Sequence, residues 1–319
     1  MELNILVYGA GVQGSYLAHV LIRGGHDVTV LARGKRAEEL EQSGLVIRHY
    51  LQRKTTVDPV RVIRTLEPGD AYDLIFVTMK FSDFEAVLPI LADNDSRHIV
   101  LVGNNMDTYA MQDYLSKSGR SPKQVAFGFQ TTGGTRANGQ AICIRAGHGQ
   151  MVIGGLNGAI PFDSLLEQAF MRTKYKLNHH HQIDAWLKNH MVLVVPMNMV
   201  ILFHRFQMKQ IVRDDKRMRQ LVAAMGEGFR VLDSLGYPLT PAAQASWITR
   251  HPRLTRWAMK LFFALPVSRL IDGTAVELKA LNEAFTEERA KSDVPTPSWD
   301  ALEAELLIQF QHERKKEYP

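Results

Sequence analysis

Three glycines near the amino terminus have the spacing of a nucleotide-binding turn. An apolar run, residues 3–8, leads into this turn, and a helical pattern follows it. The first glycine permits a tight turn, the second lets the backbone approach a pyrophosphate, and the third lets the helix pack closely on the strand. The N–H groups at the start of the helix would bind the phosphates. The sequence therefore predicts dinucleotide contacts from six consecutive residues: Gly9, Ala10, Gly11, Val12, Gln13 and Gly14.

The end of the next strand, residues 28–31, indicates which dinucleotide is bound. Enzymes that use NAD usually carry Asp or Glu there, about 20 residues past the glycines, to bind the ribose 2′-hydroxyl. This chain instead has Arg33 within the basic segment 32–36, and its next acidic residue is Glu38. A guanidinium can donate two hydrogen bonds to one phosphate. The segment therefore favours NADP(H), with Arg33 on the 2′-phosphate; a solvated basic loop is the alternative.

Strand and helix patterns alternate after this segment, as in a doubly wound parallel sheet. A nearly continuous apolar stretch (72–80), a helical stretch (84–91) and a second apolar stretch (98–102) follow in order. Such apolar runs are typical of parallel strands covered on both faces. The polar segments 78–80 and 103–105 follow two of these strands. Because ligands of such sheets bind at the carboxyl ends of the strands, we expect both segments near the glycine turn.

The pattern then changes twice. Between residues 125 and 155, short alternating segments rich in glycine predict a mainly antiparallel edge that closes the first domain. From about Pro161 onward, helical periodicity dominates almost to the end of the chain. We therefore place a boundary near residue 172, with a Rossmann-type α/β domain at 1–172 and an all-α domain at 173–319. A chain of 319 residues gives each domain enough length for its own core.

The composition indicates a globular protein from a reducing compartment. The chain is 45% hydrophobic and 22% charged. Its single cysteine, Cys143, excludes an internal disulfide and lies in an alternating run typical of a packed strand. No signal peptide is visible, so we expect a cytoplasmic protein. The longest apolar run, 191–203, is too short for a bilayer and is either core or the seam of a homodimer.

The formal charge of +5 is unevenly distributed. Residues 1–172 carry 17 Lys/Arg and 17 Asp/Glu, whereas residues 173–319 carry 21 and 16. The whole excess therefore lies in the second domain. Aromatic and basic residues are not interleaved as a nucleic-acid stacking platform requires. We expect a small anionic ligand as the partner of this domain, and neither nucleic acid nor a membrane.

Five motifs, in order along nearly the whole chain, resemble those of the ketopantoate reductase family. They are GAGVQG at 9–14, Thr78-Met79-Lys80, Gly103-Asn104-Asn105-Met106, Trp186-Leu187-Lys188 and Val276-Glu277-Leu278. The resemblance implies a 6-phosphogluconate-dehydrogenase-like fold, with a Rossmann-type domain followed by an all-α domain. It also implies NADPH-dependent reduction of a 2-keto acid to a 2-hydroxy acid, for which pantothenate biosynthesis is the best-known setting.

The resemblance assigns roles to four residues. Lys188 matches the family's catalytic lysine, whose ammonium would polarise the keto oxygen and then protonate it. Glu277 matches a glutamate that accepts a hydrogen bond from a substrate hydroxyl. Asn104 matches an asparagine near nicotinamide and substrate, and Lys80 a lysine that helps hold the cofactor. By residue type alone, Lys188 would equally suit a snorkelling lysine, Glu277 a solvated helical residue and Asn104 a turn former.

Positions expected to touch the substrate depart from the family pattern. Asn105 stands where the family usually has Gly, and Val192 where it often has a substrate-contacting Asn. Leu265 occupies the spacing of a carboxylate-binding serine, and Ser268 is the nearest serine. Two alternatives to ketopantoate reduction therefore stay open: a reductase of the same fold for a more apolar keto acid, and a non-catalytic NADP(H)-binding regulatory protein.

Two further clusters have plausible chemistry. Arg250, Arg253, Arg256 and Lys260 could supply the missing carboxylate anchor, although the solvated face of an amphipathic helix explains them more simply. The consecutive histidines 179–181 would point in different directions on a helix, and no cysteine or carboxylate cluster completes a site, so we expect no metal there. No G-x-S-x-G motif supports hydrolase chemistry.

Overall fold

The chain divides into two compact units, residues 1–184 and 185–319. The computed structural model describes residues 1–270 and 274–317.

The first unit contains twelve strands and five helices in the described part of the chain. The strands are β1 (Asn4–Tyr8), β2 (Asp27–Leu31), β3 (Leu45–His49), β4 (Lys54–Asp58), β5 (Arg61–Ile63), β6 (Leu74–Thr78), β7 (His98–Val102), β8 (Gln124–Gln130), β9 (Gly133–Ala137), β10 (Gln140–Ile144), β11 (Gln150–Gly154) and β12 (Lys176–His179). The helices are α1 (Val12–Arg23), α2 (Gly34–Ser43), α3 (Phe81–Asp93), α4 (Thr108–Lys117) and α5 (Asp163–Phe170).

The main sheet has the order β12-β11-β8-β7-β6-β1-β2-β5. The pairs from β8 to β5 are all parallel, so the predicted Rossmann-type sheet is confirmed. All five residues of β6 are buried, as expected for a parallel strand covered on both faces. Strands β1 and β6 are neighbours, and β7 lies beside β6. The segments that follow these three strands therefore emerge at one edge of the sheet.

A second, four-stranded sheet has the order β4-β3-β10-β9. The prediction of one antiparallel edge across residues 125–155 is wrong in part, because β8 pairs in parallel with β7, and β9 and β10 join β3 instead of the main sheet. Ala141 and Cys143 alternate toward the buried side of β10, which packs against α1. This burial raises the pKa of the Cys143 thiol to about 12, as suits a packed strand residue.

The first unit extends past the predicted boundary at residue 172. Strand β12 pairs in parallel with β11 and so belongs to the main sheet, which the helical periodicity of the region did not indicate. Thr108 donates a hydrogen bond of 2.6 Å to the buried carboxylate of Asp184, the last residue of the unit. Backbone pairing and this buried contact move the boundary to residue 184.

The second unit is helical throughout its described residues. Its helices are α6 (Ile183–Phe203, which begins in the first unit), α7 (Met208–Arg213), α8 (Asp215–Ser234), α9 (Ala242–Arg250), α10 (Pro252–Ala264), a 3-10 turn (Pro266–Leu270), α11 (Ala275–Arg289) and α12 (Pro297–Glu317).

Trp299 lies at the centre of the second unit's packing. Its side chain is fully buried, with its ring centroid 4.3 Å from that of Phe285. Glu227 on α8 accepts hydrogen bonds from the backbone N–H groups of Ser298 and Trp299 at 2.9–3.0 Å. A carboxylate at a helix start opposes the positive end of the helix dipole, so Glu227 fixes α12 against α8.

Helix α6 contains the apolar run 191–203. Every residue of that run is buried or half-buried, which favours the core over an exposed dimer seam. The helix has 21 residues, so the argument that the run is too short for a bilayer does not hold for the helix as a whole. By length and composition it is the one described helix that could cross a membrane, and 56% of its apolar window is buried inside the structure, as in a core helix.

Candidate functional site

The glycine turn follows β1 and has little room for side chains. Gly9 has φ +111°, and a Cβ on it would lie 2.5 Å from the carbonyl oxygen of Thr78. A Cβ on Gly14 would lie 1.9 Å from the carbonyl oxygen of Gly9. In contrast, a Cβ on Gly11 would have no described atom within 4 Å. The first and third glycines are therefore required by packing, while the second faces open space, as a backbone that approaches a ligand must.

The start of α1 presents backbone N–H groups at this turn. Gly11 is the N-cap residue, and no side chain among the described residues caps the helix. The first turn of a helix has N–H groups without intrahelical partners, and its dipole is positive at that end. The turn therefore has the geometry of an anion site and fits a pyrophosphate.

Thr78 joins the end of β6 to the glycine turn. Its hydroxyl donates a hydrogen bond of 2.9 Å to the carbonyl oxygen of Gly9. Lys80, two residues later, is half-buried at the N-cap of α3. Asn104, also half-buried, follows β7, whose Val102 is paired with Thr78. The fold thus brings the segments of Lys80 and Asn104 to the same edge as the glycine turn.

Arg33 lies where β2 ends, at the N-cap of α2. Its side chain is exposed and donates a hydrogen bond of 3.0 Å to the hydroxyl of Tyr8, the last residue of β1. Lys35 is exposed as well. An exposed guanidinium held beside the glycine turn fits a 2′-phosphate.

Arg36, from the same basic segment, has a different environment. It is only 7% exposed and donates hydrogen bonds to the carbonyl oxygen of Ala10 (3.2 Å) and the hydroxyl of Ser15 (3.1 Å). The sequence did not indicate that Arg36 is buried. The missed signal is its position on the face of α2 that also carries Ala37 and Leu40, both buried.

Asn105 does not impose the backbone change that its difference from the family glycine suggested. It is not among the residues with positive φ; Gly103, with φ +157°, has that conformation instead. Its side chain is 2% exposed, accepts from the Asp107 N–H at 2.8 Å and lies 3.2 Å from the sulfur of Met111. Asn105 therefore stabilises the turn that precedes α4.

Lys188 lies on α6 in the second unit and is 4% exposed. Its Nζ lies 4.6 Å from the ring centroid of Tyr237, in a cation–π contact. The neighbouring residue, Asn189, donates to the carbonyl oxygen of Pro238 at 3.0 Å, and the Tyr237 hydroxyl donates to Glu288 at 3.4 Å. These bonds fix the Tyr237 ring over the ammonium. Sequence reasoning missed Tyr237 and Asn189, since nothing local to either residue points to Lys188.

His190 follows on the same helix and stacks on Trp186, with ring centroids 5.4 Å apart and an interplanar angle of 10°. Desolvation lowers the pKa of His190 to about 4, so its imidazole is neutral near pH 7. Trp186 of the Trp186-Leu187-Lys188 motif thus packs on a neutral ring.

Glu277 lies in the first turn of α11 and is half-buried. Its backbone N–H donates to the hydroxyl of Thr274, the N-cap residue, at 3.3 Å. The spacing Thr-x-x-Glu is that of a capping box, and the Thr274 hydroxyl supplies its half of that motif. The residue Gly273, which the sequence motif includes upstream, lies outside the described residues.

The altered substrate positions have structural explanations. Val192 is fully buried, and a Cβ on Gly228 of α8 would lie 2.7 Å from its Cβ, so it packs in the helical core. Ser268 is fully buried and donates to the carbonyl oxygens of Phe263 and Leu265 at 3.0 and 2.8 Å. Leu265 is 46% exposed. The hydroxyl of Ser268 is therefore already used within its own turn.

The basic residues 250–260 and the histidines 179–181 each include a residue that pairs with a carboxylate. Lys260 pairs with Asp215, and Lys260 together with Arg256 lowers the pKa of that carboxyl. Trp257, on the same helix, is 66% exposed. The histidines 179–181 are not helical, because His179 ends β12 and pairs with Asp163 at 2.6 Å. Among the described residues no group of three or more His, Cys, Asp or Glu could hold a metal.

Comparisons with known proteins show which proteins this chain resembles. Residues 5–158 match the family described as Ketopantoate reductase PanE/ApbA. A 2-dehydropantoate 2-reductase from Archaeoglobus fulgidus is 25% identical over 290 residues, which cover 89% of this chain and 90% of that protein.

Solved structures share the fold. A PanE/ApbA family ketopantoate reductase from Ralstonia eutropha aligns with a TM-score of 0.75 at 18% identity, covering 95% of this chain and 97% of that one. A D-mandelate dehydrogenase, solved with NADH and anilino(oxo)acetate, aligns with a TM-score of 0.74 at 15% identity and the same coverages. Residues 5–158 therefore match the ketopantoate reductase family, and the chain shares the fold of solved ketopantoate reductases.

Proposed function

We propose that the protein is an NADPH-dependent reductase that converts a 2-keto acid into a 2-hydroxy acid, with ketopantoate as the first candidate substrate. The observation that carries this proposal is Lys188, buried on α6 in the Trp-Leu-Lys motif beneath the ring of Tyr237. A buried ammonium is costly unless it is stabilised, and a proton donor for a carbonyl oxygen is a use that justifies the cost. The relative from Archaeoglobus fulgidus is named for this reaction.

The first unit fits NADPH at three points. The N–H groups at the start of α1 would bind the pyrophosphate, with the open side of Gly11 toward it. Arg33 would bind the 2′-phosphate, and Lys80 the adenosine end of the dinucleotide. Asn104, after β7, would hold the nicotinamide end and the substrate.

The chemistry needs one hydride and one proton. NADPH, when bound, supplies the hydride that forms the new C–H bond at the keto carbon. The Lys188 ammonium donates a hydrogen bond to the keto oxygen, which stabilises the charge that develops there. It then gives its proton to that oxygen, which leaves the 2-hydroxy acid, NADP⁺ and a neutral amine that solvent reprotonates. Glu277 would accept a hydrogen bond from a substrate hydroxyl and so orient the ketone.

Tyr237 would keep Lys188 ready for this step. The electron-rich face of an aromatic ring attracts a cation, so the ring stabilises the ammonium that must be present before proton transfer. The bonds from Asn189 to Pro238 and from Tyr237 to Glu288 hold the ring in place without any substrate. Such preorganisation reduces the rearrangement needed when the substrate binds.

Two observations favour a keto acid other than ketopantoate as the second candidate. The family's substrate-contacting Asn is replaced by Val192, which is core, and the hydroxyl of Ser268 bonds within its own turn. Both changes remove polar contacts. A substrate with a larger apolar group, such as the phenyl group of a phenylglyoxylate, would lose less from them than ketopantoate would.

The proposal is tested by NADPH oxidation against a panel of 2-keto acids that includes ketopantoate and phenylglyoxylate. Wild type is compared with Lys188→Ala and with Lys123→Met. Lys123 is as buried as Lys188, at 4% exposure, but its Nζ donates to the carbonyl oxygen of Asn94 and serves packing. We expect turnover in wild type and Lys123→Met and its loss in Lys188→Ala. Tight NADPH binding without turnover of any acid would instead support the non-catalytic regulatory alternative.

A further inference from the structure

We propose that Arg36 is the positioning residue that holds the two phosphate-binding parts of the dinucleotide site in register, without touching the dinucleotide itself. The inference rests on the proposed function, because it concerns the same nucleotide site. Its basis is a buried guanidinium that donates to the glycine turn from Nε and to other protein groups from both Nη atoms.

One edge of the guanidinium holds the glycine turn. Its Nε donates to the carbonyl oxygen of Ala10 at 3.2 Å, and its Nη2 donates to the hydroxyl of Ser15 at 3.1 Å. The Ser15 hydroxyl donates in turn to the same carbonyl, at 3.3 Å. Ala10 lies between Gly9 and Gly11, so these three bonds fix the peptide that the pyrophosphate would approach.

The other edge holds a different part of the unit. Its Nη1 donates to the carbonyl oxygen of Gly139 at 2.9 Å, in the turn between β9 and β10, and to Glu39 at 3.3 Å. Four of the five N–H donors of a guanidinium are thus in use. A bidentate contact with phosphate needs two adjacent donors, so Arg36 is not available as a second 2′-phosphate ligand.

Arg36 also fixes Arg33. The two residues lie within one turn at the start of α2, where Arg33 is the N-cap. A helix turn is rigid, so anchoring Arg36 to Ala10 sets the distance from the glycine turn to the exposed guanidinium of Arg33. The separation of the pyrophosphate and 2′-phosphate sites is therefore set before a ligand binds, which lowers the cost of ordering them.

A second buried arginine shows what a purely structural role is. Arg145 is 6% exposed in the same unit, donates to Nδ1 of His49 at 3.2 Å and to the carbonyl oxygen of Gly147, and lies over the Tyr16 ring. None of these partners belongs to the glycine turn. Arg145→Met is therefore a matched control, because it removes an equally buried guanidinium from the same unit.

The experiment measures the Kd of NADPH and of NADH for wild type, Arg36→Met, Arg36→Lys and Arg145→Met, together with hydrogen exchange of the amides at residues 11–15. For Arg36→Met we expect both Kd values to rise about tenfold, with their ratio unchanged and with faster exchange at the turn. Arg36→Lys keeps the positive charge but loses the planar set of guanidinium donors, so it should raise both Kd values by a smaller factor. Arg145→Met should lower Tm without changing either Kd.

Four outcomes would overturn the inference. A loss confined to NADPH would make Arg36 a direct ligand of the 2′-phosphate. Kd values and exchange no more altered than in Arg145→Met would leave it a packing residue. If Arg36→Met does not fold, a folded Arg36→Lys with unchanged Kd values would likewise leave Arg36 a packing residue. Wild type that binds neither nucleotide would overturn the proposed function as well, which distinguishes the two failures.

Discussion

In the first unit the candidate site is mostly backbone, whereas in the second it is mostly side chain. In the proposed function the glycine turn would act through N–H groups, and its shape depends on where a Cβ cannot fit. Lys188 and Glu277 would act through an ammonium and a carboxylate carried on helices. A site formed by backbone groups restricts the residue types at several positions of fixed spacing, so it can be recognised as a sequence motif. A site formed by side chains needs only its functional residues, and the residues around them can differ.

The altered positions Val192 and Leu265 lie in the second unit, whereas Asn105 lies in the first and stabilises a turn there. Val192 has become core, and Ser268 bonds within its own turn. No comparable change affects Gly9 or Gly14, whose replacement would place a Cβ within 2.5 Å of backbone oxygen. Steric fit thus restricts the residue types allowed at the proposed nucleotide site, whereas only the chemistry of the reaction restricts them at the proposed substrate site. The four predictions below test this difference.

The largest effect is expected from Lys188→Met, which removes the ammonium but keeps an apolar chain of similar length. Without a proton donor for the keto oxygen, kcat should fall about 10²- to 10⁴-fold. The Kd of NADPH should not change, since the nucleotide is held by the first unit. Steady-state kinetics with the best substrate of the panel and a fluorescence titration with NADPH check both values. A weakened Kd would show that the two regions are not separable in this way.

Gly14→Ala should give the next largest effect, now on folding. Its Cβ would lie 1.9 Å from the carbonyl oxygen of Gly9, so α1 must shift, at a cost of about 3 kcal/mol in the free energy of unfolding. Gly11→Ala is the matched control, because its Cβ would have no described atom within 4 Å and its φ is −67°. It should unfold like wild type and yet bind NADPH more weakly. Denaturant unfolding separates the two; equal stability of both variants would argue against the steric account.

Arg33→Met should change nucleotide preference by a smaller factor. Loss of a charge-assisted contact to the 2′-phosphate should raise the Kd of NADPH about 10- to 30-fold and leave that of NADH nearly unchanged. Lys35→Met, from the same exposed segment, serves as the comparison. If the NADPH-to-NADH ratio moves only in Lys35→Met, the 2′-phosphate is bound by the lysine and not by Arg33.

The smallest effect is expected from Tyr237. Replacement by Leu removes the ring over Lys188, and an attraction of about 1 kcal/mol corresponds to roughly a fivefold fall in kcat/KM. Tyr237→Phe keeps the ring and loses only the hydrogen bond to Glu288, so it should retain most activity. Equal losses in both variants would assign the effect to that hydrogen bond instead of the ring.

Much of the first unit could be predicted because its elements are locally encoded. The run 98–102 is strand β7, and the glycine turn, the strand before it and the helix after it are where the spacing places them. The sequence could not show that β10 leaves the main sheet, because pairing with β3 depends on residues nearly a hundred positions apart. The hydrogen bonds of Arg36 could not be predicted for a similar reason, since its acceptors Ala10 and Gly139 are distant in sequence.

The substrate end was less predictable. Lys188 and Glu277 could be named only through the family resemblance, because a single charged residue in a helical pattern carries little information. The ring over Lys188 comes from a residue on another segment, beyond the end of α8. The Thr274 cap of α11, in contrast, is local and follows from the Thr-x-x-Glu spacing.

The buried thiol of Cys143 can report how often the four-stranded sheet opens. The thiol lies in β10 with no exposed surface, and its raised pKa leaves almost no thiolate for an alkylating reagent to attack. Labelling therefore requires that the four-stranded sheet come away from α1, the helix that begins at the glycine turn. Because the chain has one cysteine, the rate of its modification measures how often this sheet opens, with no introduced probe. A bound nucleotide that clamps the start of α1 should slow that rate.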